Sequence, residues 1–299
     1  MTVTSPREHP SESPDWHQAA ASLSGRRLLV VGDVMLDEYV SGDARRVCPE
    51  APVPVVEAAS RWCVPGGAAN ADANAVAIGG AVTLGGATGD DHAGAELAKV
   101  IRSAGVDPAG LVADPARPTT AKLRVLARGQ QVIRVDTESL SPLPPGSTGL
   151  LAAWGERLAA ESDAVLLSDY GKGVVGAELA QRVIAAAPRA GKPVLVDPNG
   201  RDAGRYRGAS VVKPNLGELA DLTGRTIRTA GDVTDAGSRL ADELPGTAVL
   251  VTRGAEGMAL FRAGHAPLSL PAAPARRVYD VTGAGDTAAA ALALALAAG

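Results

Sequence analysis

The sequence is poor in aromatic residues: Phe, Trp and Tyr together make up 3% of 299 residues, whereas the hydrophobic fraction is 46%. We therefore expect a core of Val, Leu and Ala side chains. The charged fraction of 21% is typical of a globular chain and excludes disorder over most of its length. A chain of this length can fold as one large domain without disulfides or metal ions.

Cysteine and histidine are scarce as well. Cys48 and Cys63 form no CxxC pair and the four histidines form no HExxH motif, so a zinc site is not expected. Isolated cysteines are typical of a reducing compartment, which predicts a cytoplasmic protein. The net charge of −4 argues against nucleic acid or an anionic membrane as a partner.

Long apolar runs are missing too. The Ala-rich segment 288–299 is too short to span a bilayer, and the polar, proline-broken start does not resemble a signal peptide. The sequence therefore predicts no membrane segment, a disordered or loosely docked tail over residues 1–24, and one domain over residues 25–299.

Short apolar runs alternate with helical patterns along most of the chain. The runs that predict buried strands are 28–31, 81–84, 165–167, 194–196, 210–212 and 249–252. The helical patterns lie near 68–78, 92–104, 176–187, 217–223, 232–243 and 284–298. This alternation predicts a doubly wound α/β fold, in which a mainly parallel sheet carries helices on both faces.

Two segments depart from this alternation. Residues 53–62 favour an extended strand, and residues 122–136 predict a hairpin that turns at 128–131. Together they predict a small β-sheet lid, with segments near 37–63 and 118–137, over the cleft at the strand ends. An edge extension without function is the alternative. The Pro- and Ser-rich segment 139–147 is predicted to be a connection.

Polar residues follow most of the predicted parallel strands, namely Asp33, Asp169, Asp197, Asn215 and Arg253. Ligands bind beyond the carboxyl ends of the strands in such sheets, so the set favours a binding cleft. Each residue alone is also common in turns.

The strongest chemical signal is the segment Asp280-Val281-Thr282-Gly283-Ala284-Gly285-Asp286, which precedes an Ala-rich helix. Small residues at a helix start allow close approach to the backbone, whose unpaired N–H groups can bind an anion. Asp286 in the first turn could then act as a general base. The alternative is a Gly-rich turn with Asp286 as a favourable helix charge.

The sequence contains neither a GxxxxGK[ST] motif nor a GxGxxG motif after its first strand, which excludes a P-loop enzyme and a standard dinucleotide binder. Instead, three motifs in order resemble the ribokinase or PfkB family of sugar kinases over residues 26–299. They are the Gly-rich segment 65–70, the segment Asn215-Leu216-Gly217-Glu218 and the segment 280–286.

This resemblance implies an ATP-dependent kinase that uses Mg²⁺. It makes Asp286 the catalytic base and assigns the anion hole to Gly283, Ala284 and Gly285. Nucleotide contacts are implied at Asn215, Glu218, Thr252, Arg253 and Gly254, with Glu218 also as the metal residue. Sugar contacts are implied at Asp33, Gly66, Gly67 and Asn70.

The segments 34–37, 49–55, 122–125, 130–136 and 168–173 resemble the heptose-7-phosphate kinases, which are similar to, or fused with, the ADP-heptose synthase nucleotidyltransferase. This resemblance implies phosphorylation of D-glycero-β-D-manno-heptose 7-phosphate at its anomeric oxygen, a homodimer and a separate nucleotidyltransferase acting downstream. The alternatives are a PfkB-type kinase for another sugar or sugar phosphate, and an inactive sugar-binding homologue.

A local excess of cations supports a phosphorylated substrate. Residues 115–135 contain five cations and no acid, and strand alternation places Lys122, Arg124 and Arg128 on one face. A solvated hairpin face is the alternative. We predict further substrate contacts at Lys122, Arg124, Arg134, Asp169 and Lys172.

The sequence departs from the family pattern in three places, one of which is the run of alanines after Thr287, where bulkier apolar residues are usual. Asn199 stands where the heptose-7-phosphate kinases usually have lysine. The segment 197–201 with this asparagine is closer to the broader sugar-kinase pattern. The sequence ends at Gly299, before a further helix of the family pattern, so we expect part of the adenine pocket either to be missing or to be supplied by a truncated or neighbouring segment.

Overall fold

The computed structural model describes residues 16–272 and 283–299, and the following elements lie within those ranges. The helices are α1 (Trp16–Ser22), α2 (Ala68–Ile78), α3 (His92–Ser103), α4 (Pro145–Glu161), α5 (Ala177–Arg189), α6 (Leu216–Thr223), α7 (Ala230–Glu243) and α8 (Ala284–Ala298). The strands are β1 (Arg27–Gly32), β2 (Val34–Val47), β3 (Pro54–Gly67), β4 (Ala81–Thr88), β5 (Asp107–Ala113), β6 (Ala121–Ala127), β7 (Gln130–Thr137), β8 (Ala164–Ser168), β9 (Val194–Asp197), β10 (Val211–Val212), β11 (Ala248–Thr252), β12 (Met258–Phe261) and β13 (Leu268–Leu270).

The main sheet has the strand order β13-β12-β11-β10-β9-β8-β1-β4-β5. All its neighbouring strands pair in parallel except at one edge, where β12 runs antiparallel to both β11 and β13. Helices cover both faces, so strands such as β1 and β8 are apolar at consecutive positions. The predicted doubly wound α/β fold is therefore confirmed, and all six predicted strands belong to this sheet.

The core is divided in two by the main sheet. Alternate residues of β1 point to opposite faces, so Leu29 and Val31 belong to one buried cluster while Leu28 and Val30 belong to the other. The first cluster contains residues of α4, α5, α6 and α7, and the second contains residues of α2, α3 and α8. Both clusters are mainly aliphatic, as the composition predicts.

A second sheet has the order β3-β2-β6-β7 and uses the segments that the sequence assigns to a lid. Strands β2 and β6 are parallel, while β2 pairs antiparallel with β3 and β6 with β7. The β6–β7 turn consists of Arg128 and Gly129, both with positive φ, as a type I′ hairpin requires. The observed turn is two residues shorter than predicted.

The structure also contains elements that the sequence did not predict. Helix α4 begins at Pro145, inside the predicted connection, because proline fits the first turn of a helix. Strand β5 begins with Asp107 and Pro108, which are usual turn residues. Helix α1 lies within the predicted tail of residues 1–24, of which residues 1–15 are outside the described structure.

Candidate active site

Asp286 lies in the first turn of α8, where the sequence places a catalytic base. Gly283 caps the helix in a left-handed conformation with a φ of 76°, and the Thr287 N–H donates to its carbonyl at 2.9 Å. The first backbone N–H groups of a helix have no acceptor within it, so this end of α8 is electropositive. Asp280, Val281 and Thr282 lie outside the described residues.

Two donors hold the Asp286 carboxylate. The Tyr170 hydroxyl donates to Oδ1, and the Asn70 side-chain amide donates to Oδ2. Tyr170 comes from the loop after β8, and Asn70 from the first turn of α2. The loop and α2 thus fix the orientation of this carboxylate. Asn70, predicted to bind the sugar, contacts the base in this structure, and the Tyr170 contact was not predicted.

A small cavity of about 180 Å³ adjoins Asp286 and contains further acids. Asp197, at the end of β9, forms an ion pair with the buried Lys213 at 2.9 Å. Burial raises the pKa of Asp197, and the Lys213 ammonium opposes part of this rise. The cavity therefore contains, besides Asp286, the Asp197 carboxylate, whose charge is balanced by Lys213.

Asn215 and Glu218 also border this cavity. They form a capping box at the start of α6: the Asn215 side chain accepts from the Glu218 N–H, and Glu218 accepts from the Asn215 N–H at 2.8 Å. Burial raises the pKa of Glu218 to about 7, opposed by the Asn215 backbone hydrogen bond and reinforced by the nearby Asp197 charge. The motif thus has a structural role and still presents a titratable carboxylate.

A larger open cleft of about 770 Å³ continues from this cavity, with which it shares Asn215, Thr252 and Gly285. Most of the residues predicted to contact the nucleotide line this cleft, together with the start of α8. Its lining includes Leu216, Gly217, Arg253, Gly254, Met258, Leu270, Pro271 and Ala284. The Arg253 guanidinium donates to the Glu256 carbonyl at 3.0 Å and to Ser269 at 3.1 Å, which joins two sides of the β12–β13 region.

Asp33 does not present its carboxylate to the cleft. It is fully buried, and it accepts hydrogen bonds from the backbone N–H groups of Tyr170 at 2.7 Å, Lys172 at 3.1 Å and Val174 at 3.0 Å. The structure therefore corrects the prediction that Asp33 holds a sugar hydroxyl: the 170–174 loop occupies both carboxylate oxygens.

Asp169, predicted to contact the substrate, is bound to neighbouring side chains and to the loop. Its carboxylate accepts from the Tyr206 hydroxyl at 2.7 Å and from the Gly171 N–H at 2.8 Å, and it forms an ion pair with Arg205 at 2.9 Å. Burial raises the pKa of Asp169, and Arg205 opposes the rise. Asp169 borders the small cavity, but its oxygens are engaged in holding the loop.

The Gly-rich segment brings a different carboxylate to the site. A Cβ on Gly66 would lie 2.7 Å from Oδ2 of Asp37, and a Cβ on Gly67, whose φ is 58°, would lie 2.4 Å from the Asp33 carbonyl. Both glycines are therefore required by packing. Asp37 forms an ion pair with Arg124 at 2.6 Å, so the carboxylate nearest this segment comes from β2.

The predicted phosphate-binding cations are paired with acids. Lys122 lies 2.8 Å from Asp136 and 3.1 Å from Glu138, and Lys172 lies 2.9 Å from Glu138. These acids follow the acid-free segment 115–135 immediately in the chain. Arg134, half-exposed on the outer strand β7, pairs with the same Asp136 carboxylate at 2.8 Å and so lies at the edge of this cluster.

The small cavity contains carboxylates that could hold Mg²⁺ beside a bound nucleotide. Within residues 16–272 and 283–299, no group of three His, Cys, Asp or Glu side chains has the arrangement of a metal site. Mg²⁺ bound with nucleotide phosphates needs only one or two protein carboxylates and keeps several waters. Asp197 and Glu218 at the small cavity satisfy this requirement.

Comparison with known proteins identifies the family. The model of the pfkB family carbohydrate kinases matches residues 26–299. The chain belongs to this family. The kinase is 46% identical over 279 residues to the bifunctional protein HldE of Caulobacter vibrioides, covering 93% of this chain and 57% of that protein. It is 49% identical over 272 residues to HldE of Azotobacter vinelandii, covering 91% and 56%.

The kinase therefore spans somewhat more than half the length of these curated relatives. Among solved structures it resembles Arabidopsis thaliana ribokinase complexed with ribose and ATP, with a TM-score of 0.68 and 26% identity over 92% of this chain and 87% of that one. It shares the fold of Escherichia coli phosphofructokinase-2 in complex with fructose-6-phosphate, with a TM-score of 0.71 and 22% identity, covering 91% and 87%. Membership makes it a phosphotransferase that acts on a sugar hydroxyl.

Sequence reasoning missed four residues of the kinase site: Tyr170, Asp37, Lys213 and Glu138. Lys213 follows β10 directly and stands beside Asn215, so the strand-end argument could have included it. Glu138 lies three residues beyond the acid-free segment 115–135. The Tyr170 contact depends on a loop that Asp33 folds, for which the sequence holds no local signal.

Proposed function

We propose that this kinase uses ATP to phosphorylate the anomeric hydroxyl of D-glycero-β-D-manno-heptose 7-phosphate. The observation that carries the proposal is the pair of ammonium groups of Lys122, on the lid strand β6, and Lys172, in the loop that also carries Tyr170; both groups lie against the Glu138 carboxylate. A kinase for an unphosphorylated sugar needs no such lysines. The segments that resemble the heptose-7-phosphate kinases support the same substrate.

The sugar would bind between the lid sheet and the start of α8. Asp37 and Asn70 would bind hydroxyl groups, and the 7-phosphate would lie at the lysines. The anomeric hydroxyl would approach Asp286, which takes its proton as the oxygen attacks the terminal phosphorus of ATP. The bond from that phosphorus to the ADP oxygen then breaks, and the N–H groups of α8 stabilise the transferred charge.

The nucleotide would lie in the 770 Å³ cleft, with its phosphates directed towards Gly285. Asp197 and Glu218 would hold Mg²⁺ through oxygen atoms and water; the bound ion would neutralise phosphate charge. Arg253 and Thr252 would border the nucleotide on the side of β11.

We further propose a homodimer formed through the lid sheet. Trp62, Val132, Ile133 and Val135 are exposed large apolar residues on β3 and β7, and their burial by a second copy would remove this surface from water. We also propose that the kinase is cytoplasmic, as its isolated cysteines suggest, and that a nucleotidyltransferase uses its product. No helix in the described ranges is long and apolar enough to cross a membrane.

A substrate panel tests the proposal. The rate of ADP formation is measured with heptose 7-phosphate, the same heptose without phosphate, ribose and fructose 6-phosphate. We expect kcat/KM to be highest for heptose 7-phosphate, and at least about tenfold lower for the free heptose, because one charge-assisted contact contributes more than one decade. Equal kcat/KM for the free and phosphorylated heptose would contradict the proposal.

A further inference from the structure

Glu138 lies between two lysine ammonium groups that come from different parts of the chain. Its Oε1 is 2.9 Å from Nζ of Lys172, and its Oε2 is 3.1 Å from Nζ of Lys122. The three side chains are largely shielded from water, with exposed fractions of 23% for Glu138, 14% for Lys122 and 17% for Lys172. One carboxylate thus bridges both cations.

The two lysines are held by the fold. The Lys172 N–H donates to the buried Asp33 carboxylate at 3.1 Å, and its carbonyl accepts from Arg117 at 2.6 Å. Lys122 belongs to β6, where it is in register with Asp37 of β2. Glu138 instead follows the end of β7, in the connection before α4. Arg117 also donates to the neighbouring Ser139 carbonyl at 3.3 Å, so displacement of Glu138 would require rotation of its side chain alone.

Each lysine is a near neighbour, along the chain or across the lid sheet, of a residue of the candidate site. Lys172 is two residues from Tyr170, whose hydroxyl donates to Asp286. Lys122 stands next to Asp37, whose carboxylate lies against Gly66. An anion bound by both ammonium groups would consequently lie between strand β6 and the loop after β8.

We propose that Glu138 is an internal competitor for the phosphate of the sugar phosphate, which displaces it from Lys122 and Lys172 on binding. The proposal rests on the proposed function and specifies how its substrate is recognised. A phosphate monoester carries nearly two charges and three acceptor oxygens, so it can satisfy both ammonium groups better than one carboxylate. Released Glu138 then turns towards solvent.

Electrostatics support the pairing in the free kinase. Burial alone would raise the pKa of Glu138, but the ammonium groups of Lys172 and Lys122 outweigh burial and hold it below its ordinary value. The carboxylate therefore remains ionised at neutral pH and, together with Asp136 at 2.8 Å from Lys122, offsets the charge of the two lysines. In this state the lysines have a reduced attraction for weakly charged anions, so displacement favours a phosphate dianion over monoanions.

The opposite role for Glu138 is to orient the two lysines while the phosphate binds. Replacing Glu138 should strengthen phosphate binding if Glu138 is a competitor, and weaken it if Glu138 orients the lysines. The test compares wild type with Glu138→Gln by titration calorimetry with inorganic phosphate, which requires no turnover. Glu57→Gln is the matched control, because Glu57 pairs with Arg46 at 3.5 Å on the exposed part of the same sheet.

If Glu138 competes with phosphate, Glu138→Gln binds inorganic phosphate at least about fivefold more tightly than wild type, and its KM for the sugar phosphate falls in parallel. Glu57→Gln should match wild type, and so should the affinity of Glu138→Gln for the unphosphorylated sugar. Unchanged or weaker phosphate binding in Glu138→Gln would overturn the proposal.

Glu138→Ala serves as a second variant, and thermal unfolding checks that each variant is folded; unchanged or weaker phosphate binding by a folded Glu138→Ala is equally decisive against the proposal. Absence of turnover with heptose 7-phosphate would defeat the proposed function, whereas the phosphate titration would still decide the role of Glu138.

Discussion

Replacement of Tyr170 by Phe removes the hydroxyl that donates to Asp286 and leaves the aromatic ring in place. A hydrogen bond to a charged group contributes about 1.5–3 kcal/mol, and about 1.4 kcal/mol corresponds to one decade in rate. If the hydroxyl orients the base in the transition state, kcat should fall about 10- to 150-fold. The KM values for sugar and ATP should change less than about threefold, because the lost contact is to the base.

The assay couples ADP formation to NADH oxidation at saturating ATP and varied sugar phosphate. Tyr206→Phe is the matched control, since it removes the same group from another tyrosine, one that donates to Asp169 at 2.7 Å. A kcat for Tyr170→Phe that equals wild type, or falls no further than that of Tyr206→Phe, would refute the positioning role. A loss confined to KM would do so as well.

Three other predictions follow from the site and the core. Because the pKa of Glu218 is about 7, its ionised fraction falls as the pH is lowered from 8 to 6, and the Mg²⁺ concentration for half-activation should rise about tenfold. Glu218→Gln should show only the pH dependence of ATP itself. An equal rise in wild type and Glu218→Gln would contradict the role of Glu218 in holding Mg²⁺. Burial raises the pKa of Asp72 to about 8. Between about pH 4 and pH 8 the native state therefore keeps a proton that the unfolded chain has lost, so the contribution of Asp72 to stability is full below pH 4 and disappears as the pH rises to 8. The free energy of unfolding in urea should fall over this range by up to about 5 kcal/mol more in wild type than in Asp72→Asn, whereas equal slopes would contradict the shift. The double variant Lys122→Ala with Arg124→Ala should raise the KM for heptose 7-phosphate at least about tenfold and change that for ATP much less; unaltered sugar-phosphate kinetics would instead favour a solvated hairpin face.

The main sheet could be predicted because its strands are buried on both faces and therefore appear as continuous apolar runs. The run 28–31 and the run 165–167 needed no tertiary information. Helix α4 was missed because Pro144 and Pro145 were interpreted as loop residues, although proline is favourable in the first helical turn. Local composition thus identifies interior strands better than a helix that begins at a proline.

The site was predictable where a motif fixes its own backbone. Asp286 and Asn215 each lie at a helix start, and local sequence specifies such positions. Asp33 was assigned wrongly because a strand-end carboxylate can face a ligand or a neighbouring loop, and the choice depends on backbone N–H groups 137 to 141 residues away. The partners of Lys122 were missed because Glu138 reaches it only after the hairpin folds.

The central claim is that Asp286 takes the proton of a sugar hydroxyl during phosphoryl transfer. The direct measurement is kcat for Asp286→Asn with ATP and heptose 7-phosphate, beside the Asp221→Asn control on the exposed part of α6. We predict a loss of about 10²- to 10⁴-fold for Asp286→Asn, with both substrates still bound, and no loss for the control. A folded Asp286→Asn kinase with wild-type kcat would contradict the account.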